Sequence, residues 1–465
     1  MRNSRKSLNA SCGNAGDGVA YFTRFVFPSS QYRGRTFAAG CNFWNATFTH
    51  EVDFCWATFR QVVTFREAKF TQKVGFKCAE FTQVGDFPYA TFTQNADFSD
   101  ATFNQKAHFN GAIFTQEARF PQANFAQGAH FNFATFMQDV DFRGATFTQE
   151  ARFLKSKFAG MVDFLGTHFA GPAQFEQTKF RQDAQDKNHQ PGPFFSGADF
   201  EEPKKVTFYK TDLGQALFHN CDVSKVTFSD VTWRKRANGK WMVLDEIVDP
   251  QYQSQHYKFG PTVDLQPPKN NPNPRNYRLV AELYQHLKKN YDDRRDYWTA
   301  GDFHYGEMEM KRLASDRHNK ALRWLHRNLG LVAWYKYASE YGESYVRPTW
   351  WLTLVLFVFM LLYPVAGLRL SAGRSGTPVT ASANAEKLTY WHPLQDSGDT
   401  RPIWRARLAL VGHSANTTVS ISLFLRDMAY EPADPWGTAA KLAEMILTST
   451  LGTLFLLAVR RQFKR

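Results

Sequence analysis

Phenylalanine recurs every eleven residues without exception from Phe43 to Phe175, at 43, 54, 65, 76, 87, 98, 109, 120, 131, 142, 153, 164 and 175. A second series with the same spacing is interleaved from Phe48 to Phe180, so successive Phe alternate between steps of five and six. No helix accommodates that pattern, because a 3.6-residue period scatters such positions over all faces. A chain that turns a corner every five or six residues instead places each Phe at the centre of a flat face pointing inward. Two residues before nearly every Phe stands a small or β-branched residue, among them Ala46, Val52, Ala57, Val63, Ala68 and Val74. In extended chain that residue also points inward, and it must be small because Phe already fills the narrow interior. Phe54, Phe59, Phe65, Phe70, Phe98, Phe103, Phe109 and Phe114 are therefore expected in the core of a solenoid. A shorter block keeps strict steps of five from Phe208 through Leu213, Phe218, Val223 and Phe228 to Trp233. Between the blocks, the polar RQDAQDKNHQPGP at 181–193 reads as a surface loop extruded from a corner.

These AxF and VxF units resemble pentapeptide-repeat proteins over about residues 41–233. The resemblance implies a right-handed, four-sided parallel β-helix with four pentapeptides per coil. Alternating fives and sixes then give coils of 22 residues, with the extra residue at two opposite corners inside the recurrent TQ segment, as in Thr71-Gln72, Thr93-Gln94 and Thr115-Gln116. Glutamines so stacked, roughly 4.8 Å apart, are expected to pair as an amide ladder. Thirteen eleven-residue units make six and a half coils, a body about 30 Å tall at that spacing. Residues 1–40 are expected to cap the N-terminal end, whose backbone groups need cover. Residues 234–276, rich in Pro, Asn and Gln, read as a linker in which WMVLDEIV (241–248) forms one capping strand or short helix.

Some proteins of this repeat class imitate DNA through a strongly negative surface. Here 18 Lys or Arg face 21 Asp or Glu over residues 41–233, a net of −3 with no phosphate-like stripe. Nucleic acid is not expected as a partner; an unidentified protein on the β-helix is. The rest of the chain therefore carries a net of +16, against +13 for the whole.

From Tyr277 the period changes to 3.6, with Leu279, Val280, Leu283, Tyr284, Leu287 and Tyr291 on one helical face. The following DDRRDYWTAGDFHYGEMEMKRL continues as a second amphipathic helix, and the pair resembles a tetratricopeptide-type hairpin that packs closely at Tyr297, Ala300 and Gly301. Such a unit needs a neighbour, supplied by the end of the β-helix or by the apolar helix at 321–342. Residues 277–345 are assigned to this α-helical adaptor.

Residues 346–465 form a membrane module. Between Arg347 and Arg369 run 21 uncharged residues that begin with Trp350 and Trp351 close together and carry Tyr363 near the far end, long enough to cross a bilayer with aromatic anchors at both interfaces. A second span is assigned to KLAEMILTSTLGTLFLLAV at 441–459, followed by the basic RRQFKR. Two spans put the β-helix and the C-terminus on one side, and Arg347, Arg460, Arg461, Lys464 and Arg465 mark that side as cytoplasmic. The expected location is the inner membrane of a bacterium. Residues 408–425, LALVGHSANTTVSISLFL, are apolar at both ends and polar in the middle, as suits a re-entrant or interfacial helix. The order span, polar helix, span resembles the pore module of tetrameric cation channels, with TTV at 417–419 where that family's TTVGYGD filter begins. SISL stands in place of GYGD, so the glycines that turn filter carbonyls toward an ion are missing. On this resemblance Asn416, Thr417, Thr418 and Ser420 would line a polar path.

No nucleophile elbow, phosphate loop, paired-carboxylate or metal-ligand spacing occurs in the chain, so no enzyme and no cofactor are expected. The five Cys include no CxxC and suit a reducing compartment. The first 20 residues have a basic start but no apolar core of seven, which argues against a cleaved export signal. Two readings follow. The first is an ion-channel-like homo-oligomer whose β-helix serves as a rigid interaction or gating domain. The second is a membrane-anchored scaffold whose spans only tether a protein-binding module.

Overall fold

The computed structural model describes residues 18–28, 30–181, 192–247, 276–314, 319–370, 388–390, 402–425 and 430–464, in two compact units divided between His318 and Asn319.

In the first unit the chain winds as a parallel β-solenoid. Two-residue strands alternate with corners, and the strands stack into four sheets whose partners lie 22 residues apart, as with Lys69–Phe70 on Thr91–Phe92. One sheet runs through ten strands from Val19–Tyr21 to Thr227–Ser229. Ten stacked strands, at the usual inter-strand spacing, rise roughly 43 Å. The solenoid is taller than the strict repeat predicts because residues 18–39 are a full coil rather than a separate cap, with Val19–Tyr21 paired to Gly40–Asn42. Phe22, Phe27, Tyr32 and Phe37 stand there in steps of five, stacked on Phe43, Phe48, Phe54 and Phe59. At the other end Phe208 and Phe228 extend the same column. Of the expected loop, residues 182–191 lie outside the described residues.

The interior consists of four stacks of rings. Phe87, Phe109 and Phe131 lie nearly parallel at centroid spacings of 4.9 Å, while Phe109 meets Phe98 and Phe120 edge-on at 5.4 and 5.6 Å. A ring inside the stack such as Phe109 thus has stacked neighbours above and below and edge-to-face neighbours across, both favoured by the aromatic quadrupole. Phe54, Phe59, Phe65, Phe70, Phe98, Phe103, Phe109 and Phe114 are all buried in this one cluster. The small residue between rings is usually Ala; where it is Ser156, Thr167 or Thr178, its hydroxyl donates to the carbonyl of Phe131, Phe142 or Phe153.

The two kinds of corner differ as the five-and-six rhythm requires. The shorter corner takes a left-handed residue, at Asn45, Trp56, Glu67, Cys78, Tyr89 and Asp100 among others. The longer corner holds the TQ pair, and there the amide ladder does not form: among the described residues no hydrogen bond joins these glutamines, and Gln72 and Gln116 are exposed. The threonines bond instead. Thr71, Thr82 and Thr115 donate through Oγ1 to the carbonyls of Phe48, Phe59 and Phe92, one coil back. A hydroxyl on a short stem reaches the backbone below, whereas a Gln amide that points outward finds water.

The last coil is closed by helices. Residues 234–247, expected as the start of a linker, form an antiparallel strand pair, Arg234–Lys235 with Trp241–Met242, and a 3-10 turn at Leu244–Glu246; 248–275 lie outside the described residues. Helices α1 (Tyr277–Asp293) and α2 (Tyr297–Leu313) then pack as a hairpin, N-capped by Asn276 and Asp296. The hairpin takes the β-helix end as its neighbour: Tyr291 and Phe303 join the ring stack at Phe228 and Trp233, and Trp233 Nε1 donates to Tyr291 OH at 2.9 Å. Asn290 Nδ2 donates to the carbonyls of Val223 and Val226 at 2.9 and 2.6 Å, and Arg294 Nη1 to that of Phe228. Carbonyls that an open solenoid end leaves unpaired are thereby satisfied. Arg236 clasps Glu246 with both Nη atoms and also bonds Tyr284 OH, fixing the strand pair to α1.

The adaptor expected as one block over 277–345 is divided between the units. The second unit begins with α3 (Lys320–Leu329) and α4 (Leu331–Ser339), followed by α5 (Val346–Ala366), α6 (Ile403–Ser422) and α7 (Pro435–Lys464). The end of α5 and the start of α7 are tied by the antiparallel pair Leu368–Leu370 and Tyr430–Pro432. At the other end Arg461 Nη1 donates to Tyr341 O at 2.7 Å and pairs with Glu343 at 3.1 Å. Helices α5 and α7 are therefore antiparallel, with the start of one beside the finish of the other.

Candidate functional site

Each solenoid strand gives one residue to the core and one to the outside, so stacking turns the sequence into vertical columns. One face carries Asn42, Thr64, Asp86, His108, His130, Arg152 and Gln174 in register. Two others are rich in threonine, with Thr47, Thr91 and Thr135 on one and Thr58, Thr102 and Thr146 on the other. Most outward groups are solvated, and their ion pairs, such as Arg66 with Glu67, are of the exposed kind that contributes little to stability. In the first column the His108 and His130 rings meet at 5.1 Å, and His130 approaches Glu150 at 3.9 Å. Burial and then the neighbouring His108 hold His130 below the usual imidazole range.

The fourth face carries a buried charge cluster. Asp141 and Asp163 occupy the same outward position in successive coils, both fully buried. Arg143 makes two hydrogen bonds of 2.9 Å to Asp141 and reaches Asp163 only at 3.7 Å. The neighbour of Asp163 in the next coil is Phe194, which belongs to a small apolar cluster with Met161, Leu217 and Leu244. Oδ1 of Asp163 accepts the Leu165 N–H, while Oδ2 has no hydrogen-bond partner. Burial pushes the Asp163 carboxyl up to about 7, with the Asp141 charge acting the same way and Leu165 and Arg143 opposing. Because this value lies above that of the unfolded chain, the folded state binds the extra proton across the interval. The group therefore penalises folding fully above about pH 7 and ceases to do so below about pH 4. Asp163→Asn keeps the acceptor for Leu165 and is expected to shrink the fall in unfolding midpoint between about pH 5 and pH 8. Calorimetry of both proteins across that range checks it; an unchanged fall would remove Asp163 as its source.

Two helices of the second unit are long and apolar enough to cross a membrane, α5 at 21 residues and α7 at 29 over Pro435–Phe463. Only 17% and 22% of their most apolar stretches are buried inside the protein, so their apolar side chains point outward. The polar helix α6 packs against both, yet its candidate pore residues do not share a surface. Asn416 is exposed, whereas Thr417, Thr418 and Ser420 are buried within the same chain. Ser414 donates to Met360 O in α5, Thr417 to His413 O one turn back, and Ser422 to Glu444 in α7. TTV lies inside a helix that continues to Ser422, not in extended chain beyond one, so its carbonyls are used in the helix.

Sequence reasoning passed over Glu444, a fully buried carboxylate in α7 that accepts from Tyr363 OH at 2.6 Å and Ser422 Oγ at 2.9 Å. It joins α5, α6 and α7 through one side chain. The signal was present: a lone Glu within an apolar run is costly in lipid unless satisfied by protein. Among the described residues no three His, Cys, Asp or Glu side chains gather as a metal site.

Residues 87–135 and 131–179 each match the family model described as pentapeptide repeats (9 copies). That part of the chain is a pentapeptide-repeat solenoid, continued on both sides by coils of the same geometry. No curated protein matches the chain, and no solved structure does.

Proposed function

We propose that this pentapeptide-repeat protein is a non-enzymatic, membrane-anchored scaffold in which α5 and α7 hold a rigid protein-binding solenoid at the bilayer surface. The observation that carries the reading is the division of labour between the units. The solenoid uses its inward residues for its own core, ring stacks with small residues between them, and offers four columned faces outside. The second unit turns Leu354, Phe357, Leu361 and Val365 of α5 and Leu442, Ile446 and Leu456 of α7 outward, where water would oppose them and lipid would not. Arg347, Arg460 and Arg461 flank the ends that lie together, and basic flanks of this kind support a topology with the solenoid on the cytoplasmic side of a bacterial inner membrane.

A pore-forming oligomer is the second reading, favoured by the order α5, α6, α7. The hydroxyls of Ser414 and Ser422 count against it, since they bond α5 and α7 of their own chain. Alkaline carbonate washing of membranes that hold the full-length protein is expected to leave it in the pellet, and its release would end the anchoring reading. Planar bilayers with the same protein are expected to be silent. Discrete conductance altered by Thr417→Leu/Thr418→Leu would replace the scaffold with the pore.

A further inference from the structure

Helix α3 is a short amphipathic helix with no buried residue. Leu322, Leu325 and Leu329 recur at i, i+3 and i+7 and form one exposed stripe, 45–53% accessible, while Lys320, Arg323 and Arg327 fall on the opposite side. The stripe continues into α4, where Leu331 is 89% exposed beside exposed Trp334 and Tyr337. Trp351 Nε1 donates to Tyr337 O at 3.2 Å, which joins this run to the start of α5. Trp350, one position away, is itself 72% exposed. Over residues 319–339 the chain carries Lys320, Arg323, Arg327 and Lys336 and no Asp or Glu. An apolar stripe exposed to water at this density would be a liability, and among the described residues of its own unit none covers it.

We infer that α3 and α4 lie in the plane of the cytoplasmic leaflet as an interfacial helix pair bound to anionic phospholipid. The inference rests on the anchoring reading above. Helix α5 enters the bilayer at Trp350 and Trp351, so the segment tied to that end by Tyr337 sits at headgroup depth, where aromatic side chains gather. Leu322, Leu325, Leu329 and Leu331 then enter the acyl boundary, and the four cations lie at the depth of the lipid phosphates. A second copy of the chain would also hide leucines, but it would bring together two segments that each carry four cations and no acidic residue, whereas an anionic leaflet attracts such a segment.

The test places the photocrosslinking residue p-benzoylphenylalanine at Leu325, and separately at Leu456 in α7, in the full-length protein. Each variant is reconstituted in phosphatidylglycerol vesicles and in phosphatidylcholine vesicles, and adducts are identified by mass spectrometry. Lipid adducts are expected from both positions, severalfold more abundant in phosphatidylglycerol than in phosphatidylcholine at 325 and equal in the two lipids at 456. Lipid capture at 456 combined with protein adducts alone at 325 would overturn the interfacial placement and leave the anchor intact. Equal yields at 325 in the two lipids would overturn the assignment to anionic lipid. Absence of lipid adducts from both positions would bring down the anchoring reading, and this inference with it.

Discussion

Phe109→Ala is expected to destabilise the solenoid by about 3–5 kcal/mol, the usual range for a fully buried Phe in a core that cannot collapse. The site cannot collapse for a geometric reason. Phe109 is stacked between Phe87 and Phe131 and flanked edge-on by Phe98 and Phe120, and each of those rings is held by its own neighbours above and below. Closing the gap would require a coil to tilt, and its strands are bonded in register to the coils on either side. Thermal unfolding of the full-length protein, followed by circular dichroism, checks the loss. Phe109→Leu, which keeps most of the volume, is expected to lose distinctly less. If the two variants unfold together, stacking is not what the core depends on.

Asn290→Ala is expected to cost about 2–4 kcal/mol, because two buried carbonyls, those of Val223 and Val226, lose their donor at once. The more telling substitution is Asn290→Asp. It preserves shape but replaces the amide with an oxygen facing two carbonyls, so it is expected to be worse than alanine at neutral pH. Hydrogen exchange is the measurement that separates this from general loosening. Protection should fall first in residues 206–233, the coils under the helical hairpin, and remain unchanged in the central coils, since a solenoid transmits its contacts only to neighbours. Uniform loss along the whole solenoid would mean that the hairpin is not an end closure.

The ring stacks were legible in the sequence because a side chain that must point inward on every face leaves little freedom in spacing: five or six residues separate one inward position from the next. The first coil is hard to read because it lacks a clean pentapeptide motif and Tyr32 replaces one Phe, although Phe22, Phe27, Tyr32 and Phe37 keep the step of five. The left-handed corners were not legible at all. Trp56, Glu67 and Tyr89 have no leaning toward positive φ, and the stacked coils impose it on them against a local cost of about 1 kcal/mol or more each. The regular glutamines suggest a ladder, but a column of identical side chains becomes one only when no solvent competes. In the second unit, length and apolarity sufficed to find α5 and α7. The role of the α6 hydroxyls turned on which way the helix faces, and a stretch apolar at both ends and polar in the middle leaves that open. Glu444 required knowing that Tyr363 and Ser422 come within reach of it, a fact of tertiary packing alone.

The 22-residue coil makes distance along the chain an angle around an axis. Excising 22 residues from the middle of the solenoid shortens it by one storey, roughly 4.8 Å, and leaves every column aligned. Excising 11 keeps each Phe on an inward position but turns everything downstream through half a revolution, so that the His108 column would continue into the column of Asp141 and Asp163. The core would tolerate both edits; the outer surface would survive only the first. Whatever docks on these faces reads azimuth as well as height, and the repeat therefore fixes the bearing of a partner relative to the helical hairpin at the far end.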